Sequence, residues 1–422
     1  MLEFPTEPPM EKSFLPKLRN LDNQWITHNG QPAMLLQDRL GIGARGVVVP
    51  QPLIPLLALC DGTRSVSDIQ VALELNWGVR LPLDTVTKVI SQLDDALMLD
   101  NERFTEGYHR ALELYRSAPV RPPILAGASY PSDPDELRAL LDRYLAGAVD
   151  NNHRVTPAAG KIRGLICPHI DYDRGAAVYA RVWDRARNAV AEADLFIILG
   201  TDHGGGPAEL TLTRKSFDTP LGLLETDVDA VDMLAKEMGS EHAFASELNH
   251  SAEHSLELAA IWLRHIAGDR SVRILPVLCG SFQPFIEGTC RPDGVAHWSA
   301  AKQALLCLAR QSRTMVIIAA DLAHIGPAFG DAHAIDLAER AALYRHDQDM
   351  LASVCRGEAG RFLDLLIKEG DRRKVCGLPP IYLGLSILEN VSGDLVDYAI
   401  CPAPANSVVS IAGVLLLSES HS

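Results

Sequence analysis

Two stretches decide the fold: Gly164-Leu165-Ile166-Cys167-Pro168-His169-Ile170-Asp171 and Leu195-Phe196-Ile197-Ile198-Leu199-Gly200-Thr201-Asp202-His203. Each is a short apolar run, read as a buried strand, that ends within a few residues of a histidine. Between them, about 175–190 reads as a helix. Strand, helix, strand with a histidine past each strand implies a parallel unit, and ligands of parallel α/β sheets bind at the carboxyl ends of the strands. Neutral imidazole is the commonest protein metal ligand. His169 and His203 are therefore candidate metal ligands.

The same alternation continues outward. Further strands are expected at 208–213, 272–278, 314–320, 396–401 and 407–417. Helices are expected at 134–147, 227–238, 254–267, 296–311, 335–355, 360–368 and 378–390. Such alternation predicts an α/β domain with a mainly parallel sheet flanked by helices. It spans 121–418, opening at Pro122-Pro123.

Ahead of it the sequence predicts a loose polar arm over 1–20, a separate small domain over 21–105, and a connecting helix and linker over 106–120. In the small domain, Ser65 is placed to cap a helix over 66–75. Val86, Val89, Ile90, Leu93 and Leu97 share one face of another helix. A short wing strand is expected at Leu97-Met98-Leu99 and Phe104, which together describe a winged helix.

Composition narrows the function. The 422 residues carry a net charge of −15, 47% hydrophobic and 22% charged residues. An acidic chain is poorly matched to nucleic-acid phosphates or anionic membranes. No apolar window approaches the roughly 18 residues of a membrane span. The eight cysteines form no CxxC pair, which fits a cytoplasmic protein with reduced thiols.

Three further segments carry chemistry. Glu253-His254-Ser255-Leu256-Glu257 opens a helix whose positive end favours a neutral His254, suited to a base or a ligand. Met315–Ala320 is an apolar run ending at Asp321-Leu322-Ala323-His324-Ile325-Gly326. A carboxylate near an imidazole can fix its tautomer there. Cys376-Gly377-Leu378-Pro379-Pro380 places a thiol at a helix start, where a thiolate is favoured.

Taken in order, these motifs resemble the Memo family, and within it the bacterial AmmeMemoRadiSam system protein B. The resemblance covers about 121–418 and includes Leu125-Ala126-Gly127-Ala128-Ser129-Tyr130-Pro131 and Leu275-Pro276-Val277. It implies a fold similar to class III extradiol dioxygenases. It also implies His169, His203 and Cys376 as metal ligands, with Asp321 and His324 lining the pocket. Ile170-Asp171 stand where the family usually has Ala-Gly, and Ala319-Ala320 where it has small hydroxyl residues. Gly204–Gly206 follow His203.

Cys60-Asp61-Gly62-Thr63-Arg64-Ser65-Val66-Ser67-Asp68-Ile69 and the helix end at Leu93–Leu99 resemble PqqD-like domains. That implies a peptide or a radical-SAM enzyme as partner. The expected function is a mononuclear, redox-type metalloenzyme using Fe(II) or Cu, with Zn as a further option. Mixed nitrogen and sulfur donors suit such ions. Glu253, Asp171 or Asp321 would supply a carboxylate, and His254 and His324 would move protons. A non-catalytic peptide-binding scaffold and a zinc hydrolase are the competing expectations.

Overall fold

The computed structural model describes residues 14–44, 46–148, 160–206 and 209–418. The chain forms two units, Met1–Ser117 and Ala118–Ser422.

In the first unit, strands β1 (Asp22–His28), β2 (Gln31–Gln37) and β3 (Gly46–Pro50) form an antiparallel sheet in that order. Asn29 (φ 51°) and Gly30 (φ 74°) make the two-residue turn between β1 and β2, the pair that such tight hairpins favour. Four helices follow: α1 (Ile54–Leu59), α2 (Val66–Trp77), α3 (Leu83–Asp95) and α4 (Glu102–Ser117). Ser65 caps α2 as expected, accepting from the Asp68 N–H while Asp68 bonds back to the Ser65 N–H.

The unit's sheet stands ahead of its helices, not at 97–104. Leu97 turns the chain in the left-handed region (φ 57°), and Met98 and Leu99 are buried in the core. Phe104 lies inside α4, which Asn101 starts by accepting the Phe104 N–H at 3.1 Å. The expected arm falls partly on 1–13, outside the described residues. Its later part is tied down, with the Leu18 N–H bonded to the Cys60 oxygen and the Arg19 N–H to the Met98 oxygen.

The second unit runs α5 (Pro134–Ala148), β4 (Ile162–Cys167), α6 (Tyr172–Glu192), β5 (Leu195–Thr201), β6 (Leu210–Leu212) and β7 (Glu225–Thr226). Next come α7 (Val228–Met238), α8 (Ser240–Phe244), α9 (Ser255–Ala267), β8 (Arg273–Cys279), α10 (Gln283–Ile286) and α11 (Ala296–Ala309). It closes with β9 (Thr314–Ala319), β10 (His324–Ile325), α12 (Leu337–Cys355), α13 (Ala359–Glu369), α14 (Leu378–Ile387), β11 (Val391–Ala403) and β12 (Ser407–Ser418).

The sheet runs β10-β12-β4-β9-β5-β8-β6, with β11 also paired to β12 and β7 to β8. Its centre, β4, β9, β5 and β8, is parallel, while β12 and β11 on one margin and β6 on the other are antiparallel. Central strands covered on both faces must be apolar throughout, which is why they read as unbroken runs. Alternate side chains part to opposite faces. Phe196, Ile198, Met315 and Ile317 pack with residues of α5, α6 and α9. Ile197, Leu199, Val316 and Ile318 pack with residues of α7, α11 and α14. Helix α14 lies close against β9: a Cβ on Gly384 would come within 2.2 Å of Ile318 Cδ1.

Candidate metal centre

Strand β9 lies between β4 and β5. Three neighbouring carboxyl ends therefore carry His169, Asp321 with His324, and His203. The start of α9 brings Glu253 and His254 from one face of the sheet. The loop before α14 brings Cys376 from the other. These seven residues thus gather at one edge.

His169 is buried, and its Nδ1 lies 3.1 Å from the Ala319 carbonyl oxygen. Donation from Nδ1 leaves Nε2 as the ring's acceptor, and Cys376 Sγ sits 3.2 Å from it. His203 Nδ1 lies 3.0 Å from both oxygens of Glu253. The ring centroids of His169 and His203 are 5.2 Å apart. One donor atom each from His169, His203 and Cys376 falls within 4.8 Å of the others. Tetrahedral bonds of 2.0–2.1 Å to nitrogen and 2.3 Å to sulfur place the two ligand atoms about 3.5–3.6 Å apart. The His169–Cys376 spacing of 3.2 Å is within a few tenths of an ångström of that, so this trio can hold a single soft or borderline ion.

Glu253 is a support behind His203. Besides the imidazole it accepts the His203 N–H and the Ser255 N–H, each at 2.9 Å. His254 Nδ1 lies 3.3 Å from the same carboxylate, and its ring stacks on His203 with centroids 4.9 Å apart. Burial would raise the Glu253 carboxyl, but His203 and His254 beside it and the hydrogen bonds hold it well below the usual range. Burial pushes the His169 imidazole down to about 4, with His203 adding to the effect. Burial likewise takes His254 to about 4. Both rings are thus neutral at pH 7, the form that binds metal. The Cys376 thiol is driven well above 9, first by burial and then by Asp321, so a cation is needed to bring it to the thiolate.

Asp321 clamps the loop after β4, accepting the His169 N–H at 2.8 Å and the Ile170 N–H at 3.2 Å on Oδ1. Its Oδ2 lies 3.8 Å from His169 Nε2. Burial raises its pKa, opposed by His324 and those two N–H groups. His324 Nδ1 lies 3.1 Å from the Leu322 oxygen, so the backbone rather than Asp321 sets its tautomer. The ring meets Phe329 edge-on at 5.0 Å.

Asp171 departs from expectation. Its carboxylate caps α6, accepting from the Arg174 N–H at 3.1 Å and from Arg174 Nε at 2.5 Å. A side chain spent on a helix end and an arginine brings no carboxylate to the trio. Glu257, four residues from Glu253, is also structural. It bonds Arg121 Nη1 and the Tyr130 hydroxyl, each at 2.5 Å, and the N–H groups of Ile124 and Leu125 at 2.9 Å. That anchors the 121–131 segment to α9.

Two supporting contacts gave no signal in the sequence. Thr201 Oγ1 donates to the Cys376 carbonyl at 2.9 Å, and Ser255 Oγ to the Thr201 carbonyl at 2.8 Å. Gly377 is needed for close approach, since a Cβ there would lie 2.4 Å from the Asp321 carbonyl oxygen.

The family model for Memo-like proteins matches residues 121–415. A MEMO1 family protein of Aquifex aeolicus is 28% identical over 390 residues, covering 90% of this chain and 95% of that protein. One from Thermus thermophilus is 26% identical over 358 residues, covering 84% of this chain and 99% of the relative. One from Methanosarcina acetivorans is 26% identical over 283 residues, covering 66% and 91%.

Proposed function

This chain belongs to the Memo-like protein family, and from that premise we propose that it is a mononuclear metalloenzyme of redox type. His169, His203 and Cys376 are its ligands. The observation that carries the proposal is the approach of two imidazole nitrogens and a thiol sulfur to within 4.8 Å at the carboxyl edge of a parallel sheet. Fe(II) or Cu suits this donor set and Zn is compatible with it. Such an ion would supply electron transfer or Lewis-acid polarisation.

The chain's own residues then have defined tasks. Glu253 orients His203 through Nδ1, as carboxylates behind metal-bound histidines do. Asp321 holds the His169 loop in place. His254, neutral and next to the Glu253 carboxylate, can take or release a proton at Nδ1. His324, held by the Leu322 oxygen, is the second group able to move one.

The small unit supports a role beside a partner. Trp25 on β1 and Val71, Leu75 and Trp77 on α2 are large apolar side chains left exposed. Exposed apolar groups of this kind mark protein or peptide contacts. We assign Val71 and Leu75, four residues apart and so on one side of α2, to contact with a peptide or a radical-SAM partner enzyme, which Leu75→Glu in the full chain would weaken in co-purification.

The test of the metal reading is elemental analysis. The wild-type chain and the His169→Ala/His203→Ala variant are purified alike and their bound metal quantified. The proposal expects near one ion per chain in the first and a small fraction in the second. Equal content in both would sink it.

A further inference from the structure

One cavity adjoins the metal ligands and has no part in the roles above. Its volume is about 270 Å³, and His203 and Cys376 both line it. His169, Glu253, His254, Asp321 and His324 are not in its wall. A molecule within it would therefore meet the centre from the side of His203 and Cys376, leaving the proton-moving histidines on another side. The volume is close to the lower range of small-molecule sites.

The wall has two chemistries. Phe282, Ile286, Leu378 and Pro379 supply an apolar surface. Asp202 and Asp371 supply carboxylates. Asp202 is buried, with only 5% exposed. The Asn249 amide donates to its two oxygens at 3.1 and 3.0 Å, and the Gly204 N–H to Oδ1 at 3.1 Å. Asp371 Oδ1 accepts the Val375 N–H at 2.9 Å. These donors are all neutral. Lys374 shares the wall, but its ammonium pairs with Asp331 at 2.5 Å. A buried carboxylate held by neutral donors still favours a cation, because desolvation strengthens the attraction.

We propose that this cavity binds a small amine, with the protonated nitrogen against Asp371, Asp202 adding a second carboxylate to the wall, and an apolar body against Phe282, Ile286 and Leu378. Calling the amine a substrate rests on the metalloenzyme reading; the binding itself does not. With the metal removed, a carboxylate ligand of the same size would meet two like charges in the same space. A neutral alcohol would fill the apolar part but forgo the charge-assisted hydrogen bonds, which are about twice as strong as neutral ones.

Calorimetric titration of the full chain with phenethylamine, phenethyl alcohol and phenylacetate tests this, after bound metal has been quantified in the same preparations and removed by chelation. Phenethylamine should bind saturably, at least about tenfold tighter than the alcohol, a factor that one charged hydrogen bond supplies. Phenylacetate should bind more weakly than either. Asp371→Asn should cost most of the preference for the amine over the alcohol. Ile286→Trp, at a half-exposed wall position, should abolish binding of all three while keeping the wild-type melting temperature and metal content. Equal affinity for amine and alcohol, tighter binding of phenylacetate, or undiminished binding in Ile286→Trp would overturn the proposal. Metal held without amine preference would defeat this inference alone. Amine preference without metal would defeat the metalloenzyme reading alone.

Discussion

Replacing Glu253 by glutamine isolates the support behind the metal ligand. The two side chains have nearly the same shape, so packing is kept. The carboxylate now lies 3.0 Å from His203 Nδ1 through both oxygens and accepts the His203 and Ser255 N–H groups at 2.9 Å. A glutamine offers one acceptor oxygen, and its NH₂ group would face an N–H. Loss of a carboxylate behind a metal-bound histidine costs about 10- to 100-fold in metal affinity, or about 1.4–2.7 kcal/mol. Competition titration against a chromophoric chelator at pH 7 measures it. Stability of the metal-free protein should change less, because glutamine also relieves the cost of burying a charge. Metal affinity within twofold of wild type would refute the assignment of Glu253 as the group orienting His203.

Three more outcomes follow from the same structure. Binding at a thiol held well above its usual pKa must release a proton at neutral pH. Metal affinity should therefore rise about tenfold per pH unit between roughly pH 6 and 8, and Cys376→Ser should flatten the slope in titrations at three pH values. His169 and His250 are buried and held down to about 4 and about 3. The unfolded chain, with histidines near 6.5, then binds more protons, so stability of the metal-free protein falls as pH drops below 6.5. Each should cost roughly 2 kcal/mol on going from pH 7 to pH 5, read by urea unfolding, and His250→Asn should remove one share. Arg121 and Glu257 form a fully buried ion pair. Glu257→Ala would strand the guanidinium and cost about 3–5 kcal/mol in the same assay, whereas a loss under 1 kcal/mol would contradict that role.

Much of the second unit was legible because its physics is local. Leu195–Leu199 and Met315–Ala320 are unbroken apolar runs, as a strand covered on both faces requires. The first unit's sheet was not read, although Asn29-Gly30 between two short runs is the strongest hairpin signal available. Its strands are half-exposed and mixed in polarity, with the successive Gln24 and Trp25 and then Thr27 all exposed, so no clean alternation marks them. Met98 and Leu99 looked like a wing because apolar residues beside a turn read alike in a strand and in a packed helix end. At the site, the histidines and Cys376 announced themselves by residue type at element ends. Asp171 misled, since a carboxylate near a ligand histidine and a helix cap have the same sequence. Thr201, Ser255 and Asp202 act through contacts between residues far apart in the chain, and nothing local marks them.

The central claim is that Cys376 and the two histidines bind one ion together. Cobalt(II) loading of the metal-free chain tests it most directly, because a cobalt–thiolate bond gives a charge-transfer band in the near ultraviolet. The account predicts that band at one equivalent of cobalt, its loss in Cys376→Ser with residual weaker binding, and no binding in His169→Ala/His203→Ala. A band that persists in Cys376→Ser, or one equivalent bound by the double histidine variant, would contradict it.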